Sequence, residues 1–293
     1  MLFRSPAQGL QNISSSNCDN LSVLPVSVIL PSYNQEGRIA AALESIIAQT
    51  IFLDCEVIVS DDASNDSTTK VVEQYASKHS NISLLTNKKN LGVMGNYRNL
   101  VDKCNGRYIA PLEGDDLWLS TDRLETMVAY MDDHPDINGC FGDFYVFDQS
   151  DGKLRLAPTG WTGKYKIFQA QDLILANHSA SFSNCFYRAN RFRTVITSLQ
   201  NSPSYDWATN IIVAANGGFA HIPGAKSVYT LHSTGTWTRL SKAQQHMQIV
   251  STLQNLANHL PENLKSFALE RACYLKEQSQ TPTQINDCKA VTP

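Results

Sequence analysis

Carboxylates gather where apolar runs stop. Tyr108 to Leu112 reads as a short buried strand, and Glu113, Gly114, Asp115 and Asp116 follow it at once. Asp61 and Asp62 close the run Glu56 to Ser60, and Glu36 stands just beyond the run Val26 to Leu30. One acid after a strand is commonly there to bend a turn or cap a helix. Acidic sites at three strand ends of one sheet ask for more, because clustered like charges destabilise a fold unless a cation or hydrogen-bond donors meet them. Oxygen ligands of this kind suit a hard divalent cation, Mg2+ or Mn2+, which usually brings phosphates with it. Two further residues could act on a ligand held there: Asp206, which opens a helix after Ser202-Pro-Ser204, and His232, which follows a strand-like run.

The elements that must position these groups follow from periodicity. Val26 to Leu30, Glu56 to Ser60, Ile82 to Leu85 and Tyr108 to Leu112 read as buried strands. Between them, Ile39, Leu43, Ile46 and Ile47 share one helical face, Val71, Val72 and Tyr75 point inward from a helix capped by Ser or Asp, and Tyr97 to Cys104 is a third helix. Strands alternating with helices in this way imply right-handed βαβ units and a parallel sheet, with ligands bound beyond the carboxyl ends of the strands. Leu124 to Met131 is a helix stopped at His134-Pro135, Cys140 to Phe147 a strand, and residues 150–180 an irregular excursion suited to an acceptor site. Ser183 to Arg188 returns to the sheet, Tyr205 to Ala215 is helical, and Phe219 to Ile222 and Ser227 to His232 are two short strands. From Leu240 an amphipathic helix carries Ile249, Leu253, Leu256 and Leu260, and a second helix follows Pro261.

A formal net charge of -3 over 293 residues, without a dense Lys/Arg cluster, excludes a nucleic-acid footprint. Seven scattered cysteines without a C-x-x-C pair point to reduced thiols in a cytosolic protein. No apolar run approaches the roughly 18 residues that span a bilayer, and the N-terminus lacks the pattern of a signal peptide. The sequons at Asn12, Asn65, Asn81 and Asn177 therefore carry little weight. Membrane contact, if any, is expected to be peripheral.

Several segments together carry a resemblance: Val26-Ser-Val-Ile-Leu-Pro-Ser-Tyr-Asn-Gln-Glu36, Ser45-Ile-Ile-Ala-Gln-Thr50, Glu56-Val-Ile-Val-Ser-Asp-Asp-Ala-Ser-Asn-Asp66, Asn90-Leu-Gly-Val93 and Gly106-Arg-Tyr-Ile-Ala-Pro-Leu-Glu-Gly-Asp-Asp116. In this order, over residues 26–135, they resemble the family 2 glycosyltransferases of the GT-A fold. Tyr205-Asp-Trp207 and Tyr229-Thr-Leu-His232 extend the likeness more weakly. The resemblance implies a Rossmann-like, mostly parallel sheet flanked by helices. It also implies a transferase domain over 23–238; residues 1–22, rich in Ser, Asn and Gln with little periodicity, read as a loose leader, and the helices from Leu240 on as a helical extension over 239–293. The domain would divide into a nucleotide-binding half, 23–118, and an acceptor half, 119–238.

The resemblance implies roles as well. Pro31 and Tyr33 would pack on the nucleotide base with Glu36 nearby, and Asp62 would accept from the base, for uracil its N3–H. Asp115 would contact ribose, Asp116 would hold Mn2+ or Mg2+, and Asp206 would be the general base. His232 is either a further metal or diphosphate contact or a satisfied structural residue. Glu113 stands where many relatives have Asp, and Tyr205 where they have an acid; for Glu113 a structural role and an indirect contribution both stay open. Trp118, Trp161, Trp207 and Trp237 either stack on sugars or pack the fold. The expected reaction is inverting transfer from a nucleotide-diphosphate sugar, by default a UDP-sugar, to a hydroxyl of a glycan or lipid-linked saccharide, at the inner membrane face if the acceptor is lipid-linked. A nucleotidyltransferase is the alternative enzyme, although no Gly-rich phosphate loop is present. A non-catalytic nucleotide-binding partner is the other.

Overall fold

The computed structural model describes residues 24–157, 163–199 and 202–280. The expected leader and Trp161 lie outside them. Val26–Ser32 (β1), Ile39–Ile47 (α1), Cys55–Asp61 (β2), Thr68–Ala76 (α2), Ile82–Thr86 (β3), Gly92–Val101 (α3) and Tyr108–Pro111 (β4) form the first half. Leu117–Trp118 (β5), Arg123–Asp133 (α4), Ile137–Asp148 (β6), Lys153–Leu156 (β7), Lys166–Phe168 (β8) and Ala170–Leu175 (α5) follow. Cys185–Arg188 (β9), Ala189–Ser198 (α6), Tyr205–Ala215 (α7), Gly218–Leu231 (β10), Lys242–Leu256 (α8) and Glu262–Gln280 (α9) complete the described chain.

The strands join one sheet in the order β3-β2-β1-β4-β9-β6-β10-β5, with β7 on β6 and β8 on β10. The sheet is parallel from β3 to β4, as the βαβ reading requires, whereas β9, β5, β7 and β8 enter antiparallel and make the second half mixed. Strands of the first half are apolar on both faces because both are covered. Val26, Val28 and Leu30 of β1 meet α1, α2 and α4 on one side, and Ile29 meets α3, α6 and α7 on the other. Each such side chain removed from water is worth about 2 kcal/mol. Because α1 and α2 cover one face and α3 the other, the winding reverses between β1 and β4. That reversal opens a crevice at the carboxyl ends of these two strands.

The predicted strands Phe219 to Ile222 and Ser227 to His232 prove to be one, β10. Pro223 to Lys226 bulge out between Ile222, opposite Gly142, and Ser227, opposite Phe144, so Pro and Gly mark a kink rather than an end. The kink is pinned by Arg123, fully buried, whose Nη1 donates to the Ala225 carbonyl and whose Nη2 donates to the Asn184 carbonyl at 2.6 Å. Gly142 is required beside it, since a Cβ there would overlap the Ala225 carbonyl. Helices α8 and α9 bury Leu253, Leu256, Ala268 and Ala272 in the same apolar cluster as α7. Among the described residues no helix is long and apolar enough to cross a membrane.

Candidate active site

The crevice between β1 and β4 opens into a cavity of about 1310 Å3 that runs on between α5, α7, α8 and α9. Its floor at the first end is the turn after β1. Pro31, Ser32, Tyr33, Asn34 and Gln35 line it, and Tyr33 is 44% exposed. Asn34 holds φ at 53°, and its side chain accepts from the Asn65 amide at 2.9 Å, locking this turn to the one after β2. Ala63 in that second turn, φ 61°, and Ala180, φ 66°, are the other non-glycine residues held left-handed among the described residues. Such conformations cost roughly 1–3 kcal/mol each and persist where the surroundings impose them.

Each acid has a distinct task. Asp61 bends its turn by accepting from the Ser64 amide at 2.9 Å. Asp62 faces the cavity, with the Asn87 side chain and the Leu91 amide donating to its Oδ1 at 2.8 and 2.9 Å. Glu36 differs from expectation. Its carboxylate accepts from the Ser67 amide at 2.8 Å at the start of α2, and Gln35 rather than Glu36 lines the cavity. The open N–H groups of a helix start attract a carboxylate, and this one lies within reach. Among the described residues the buried Oγ of Ser32 and Oε1 of Gln35 have no partner, which leaves two unsatisfied polar atoms in the cavity wall.

After β4 the two adjacent aspartates turn opposite ways, and the expected roles change accordingly. Asp116, expected as the metal ligand, is 2% exposed, and its oxygens take the Thr230 amide at 2.8 Å and the Ser181 hydroxyl at 3.3 Å. Burial, then the charge of Asp115, pushes its pKa well above the usual carboxylate range. Asp115, expected at ribose, faces the cavity and meets His232 Nε2 at 2.8 Å, while His232 Nδ1 is held by the Thr234 hydroxyl at 2.8 Å. Of the residues expected to hold a cation, His232 thus lines the cavity with Asp115, while Asp116 is turned into the fold. Among the described residues no cluster of three or more metal-binding side chains occurs. Two protein ligands nevertheless suit Mg2+ or Mn2+, which take their remaining oxygens from phosphates and water.

Glu113 and Tyr205, the two departures noted in the sequence, touch: the Tyr205 hydroxyl donates to Glu113 Oε1 at 2.8 Å. Burial and the neighbouring Asp115, Asp116 and Asp206 raise the Glu113 pKa well above its ordinary value. Next to Tyr205, Asp206 faces the same cavity from the first turn of α7. Burial pushes its pKa up to about 6, against the opposing pull of its own and the Trp207 amide and the Asn177 side chain. Trp207 donates its indole N–H to the Leu173 carbonyl at 2.7 Å and is buried with one edge on the cavity, Trp118, bonded to the Ser183 carbonyl at 2.8 Å, is core, and Trp237 lines the cavity. Sequence reasoning missed Gln35, Asn177, Arg239 and Arg271, whose signal lies only in which way loops and helices face.

The arrangement puts carboxylates, a histidine and an aspartate of raised pKa around one cavity, a set that suits group transfer to a hydroxyl. Comparisons with known proteins bear on the family. Residues 27–196 match the family model described as glycosyl transferase family 2. An uncharacterized protein of Mycobacterium tuberculosis is 30% identical over 214 residues, 72% of this chain and 60% of that one. An Escherichia coli protein named UDP-Glc:alpha-D-GlcNAc-diphosphoundecaprenol beta-1,3-glucosyltransferase is 38% identical over 106 residues, 36% of this chain and 40% of its own. The chain thus spans less than two thirds of the length of these curated relatives. Among solved structures, Staphylococcus aureus TarS 1-349 in complex with UDP-GlcNAc aligns with a TM-score of 0.60 at 15% identity, over 88% of this chain and 93% of that one. A mannosyltransferase of Pyrobaculum calidifontis in complex with GDP-Man and Mn2+ aligns with a TM-score of 0.55 at 18% identity, over 89% and 76%. At these identities the structural likeness is one of fold.

Proposed function

Because the chain belongs to glycosyl transferase family 2, we propose that it moves a sugar, with inversion, from a nucleotide-diphosphate donor to a hydroxyl of a cell-envelope glycan or lipid-linked saccharide. The observation that carries this reading is the convergence of Asp62, Asp115, His232 and Asp206 on one cavity. UDP is the donor nucleotide we favour, supported by the names of the E. coli relative and of the TarS complex. In the proposed pose the base lies against Tyr33 and is read by Asp62, with Ser32 and Gln35 offering further acceptors. Asp115 and His232 hold a divalent cation that supplies Lewis-acid stabilisation to the leaving diphosphate when bound.

Asp206 takes the proton of the attacking acceptor hydroxyl as the new glycosidic bond forms and the bond to the diphosphate breaks. Its raised pKa, still below neutrality, leaves it ionised at pH 7 but more basic than a surface aspartate. Glu113 and Tyr205 stand between the cation site and the base, where the donor sugar must sit. An acceptor carried on a lipid would place the protein peripherally at the inner membrane face. The proposed division keeps a transferase domain to residue 238 and a helical extension after it, and the α8 and α9 residues that line the cavity support an acceptor-side role for that extension.

The test is nucleotide release from UDP-glucose, UDP-GlcNAc and GDP-mannose with and without Mn2+. A slow, Mn2+-dependent release from one donor is expected, and Asp206→Asn should lower turnover about 10²–10⁴-fold while nucleotide binding survives. Near-normal turnover in that variant would remove Asp206 from the role, and no release from any donor together with no UDP binding would overturn the reading.

A further inference from the structure

The cavity is larger than the 300–1,000 Å3 typical of a small-ligand site, so a nucleotide sugar leaves much of its 1310 Å3 to a second substrate. The acids of its lining, Asp62, Glu113, Asp115 and Asp206, stand at strand ends and at the start of α7. The wall beyond them, made by Trp237 to Arg239, by Gln248 and Ile249 of α8 and by Arg271 and Leu275 of α9, carries positive charge and no carboxylate.

Two further arginines line the cavity: Arg38, beside the turn after β1 at the other end, and Arg155, which is spoken for by Asp151. Arg239 and Arg271 are not: among the described residues neither guanidinium meets a carboxylate. Arg271 is half-buried, its Nη2 reaches only the Leu175 carbonyl at 3.5 Å, its Nε is covered without a partner, and its plane lies against the Tyr274 ring, 5.4 Å from the centroid. A half-buried cation held so loosely costs stability that an anion would restore. Its place is also specific. Leu175 is two residues from Asn177, whose side chain holds Asp206, and two extended residues span at most about 7 Å. The guanidinium and the base are thus tied to the same short segment of the cavity wall. Arg239, an exposed residue of the same cavity lining, stands one turn beyond the His232 loop, its amide bonded to the Gly235 carbonyl at 3.2 Å.

We propose that Arg239 and Arg271 form the subsite for a phosphate ester on the acceptor, in the wall of the cavity beyond the attacking hydroxyl. This rests on the transferase reading above. Guanidinium groups bind phosphate oxygens in pairs and stay charged at any working pH, which suits a multiply charged group better than a neutral sugar.

The experiment titrates the full chain, saturated with UDP and Mg2+ so that the donor end is filled, with glucose 1-phosphate, with methyl glucoside and with glucose 1-phosphate esterified to a decyl chain. Glucose 1-phosphate should bind at least tenfold more tightly than methyl glucoside, and Arg271→Gln and Arg239→Gln should each weaken it about tenfold with the fold intact by circular dichroism. Equal binding of the decyl ester marks a phosphate borne by saccharide, and tighter binding marks one borne by lipid; both support the subsite. Equal binding of glucose 1-phosphate and methyl glucoside, or folded arginine variants that bind glucose 1-phosphate as the natural protein does, would overturn it. Failure of UDP to bind in the first step would instead count against the donor reading, and the same titrations on the nucleotide-free protein would still decide the subsite.

Discussion

Asp206 ties the chemistry to pH. A carboxyl pushed up to about 6 must lose its proton before it can accept one, so kcat should rise with pH through about 6 and level off above it, a profile read from initial rates at saturating donor. The sign for stability is the reverse. Between the unfolded value near 3.8 and the folded value near 6 the native state binds the proton more tightly, so this group's contribution weakens as pH rises through that window. Asp206→Asn should consequently cost activity yet raise the unfolding free energy at pH 7 by about 1–3 kcal/mol, measured by urea titration. A residue that merely caps α7 would move both quantities downward together. The same scale shows what could be read in advance. Acids at strand ends mark Asp62 and Asp115 because a buried strand must surface where its apolar run stops. Nothing in the Asp115-Asp116 dipeptide says which of two neighbours faces the ligand, since adjacent side chains point apart and only the partners Ser181, Thr230 and His232 decide. Glu36 was open to the same ambiguity and went to the nearest helix start.

At the scale of elements, the hydrogen bond from Tyr205 to Glu113 is the direct tie between the loop after β4 and the first turn of α7, and so between the cation side and the base. Tyr205→Phe should lower kcat about tenfold while the donor KM holds, because it removes one bond to a buried carboxyl and leaves the nucleotide end alone. Glu113→Gln, which keeps an acceptor oxygen for the tyrosine, should do less harm than Glu113→Ala. Arg123 plays the corresponding part for β10. Burial lowers its pKa to about 10, and its donors end on the backbone at Asn184 and Ala225. Arg123→Met should cost about 3 kcal/mol in urea unfolding and weaken Mn2+ binding, since the kink it pins sets where Thr230 and His232 arrive. Elements with two-faced apolar runs, β1, β2 and β4, were legible. The unity of β10 was not, because Pro223-Gly224 punctuates a bulge as it would an end. Strands β7 and β8, at the margins of the sheet and with exposed faces, send no burial signal, and α6 escaped notice although Phe192, Val195, Ile196 and Leu199 share one buried side.

Over the whole molecule, the proposed nucleotide half, 23–118, and acceptor half, 119–238, do not fold apart. Strand β5, at the end of the proposed nucleotide half, pairs with β10, and β4 pairs with β9. Strand β10 in turn touches β6, β8 and β5 before its chain delivers His232 to the cavity. On the proposed reading, one beam carries a wall for each substrate. Changes in that beam would disturb donor and acceptor together, whereas the hairpin of β7 and the outer faces of α8 and α9 hang from it like fittings. A lineage of such proteins can be expected to exchange saccharide partners by refurnishing those fittings while the beam, with its kink and its arginine bolt, stays as it is.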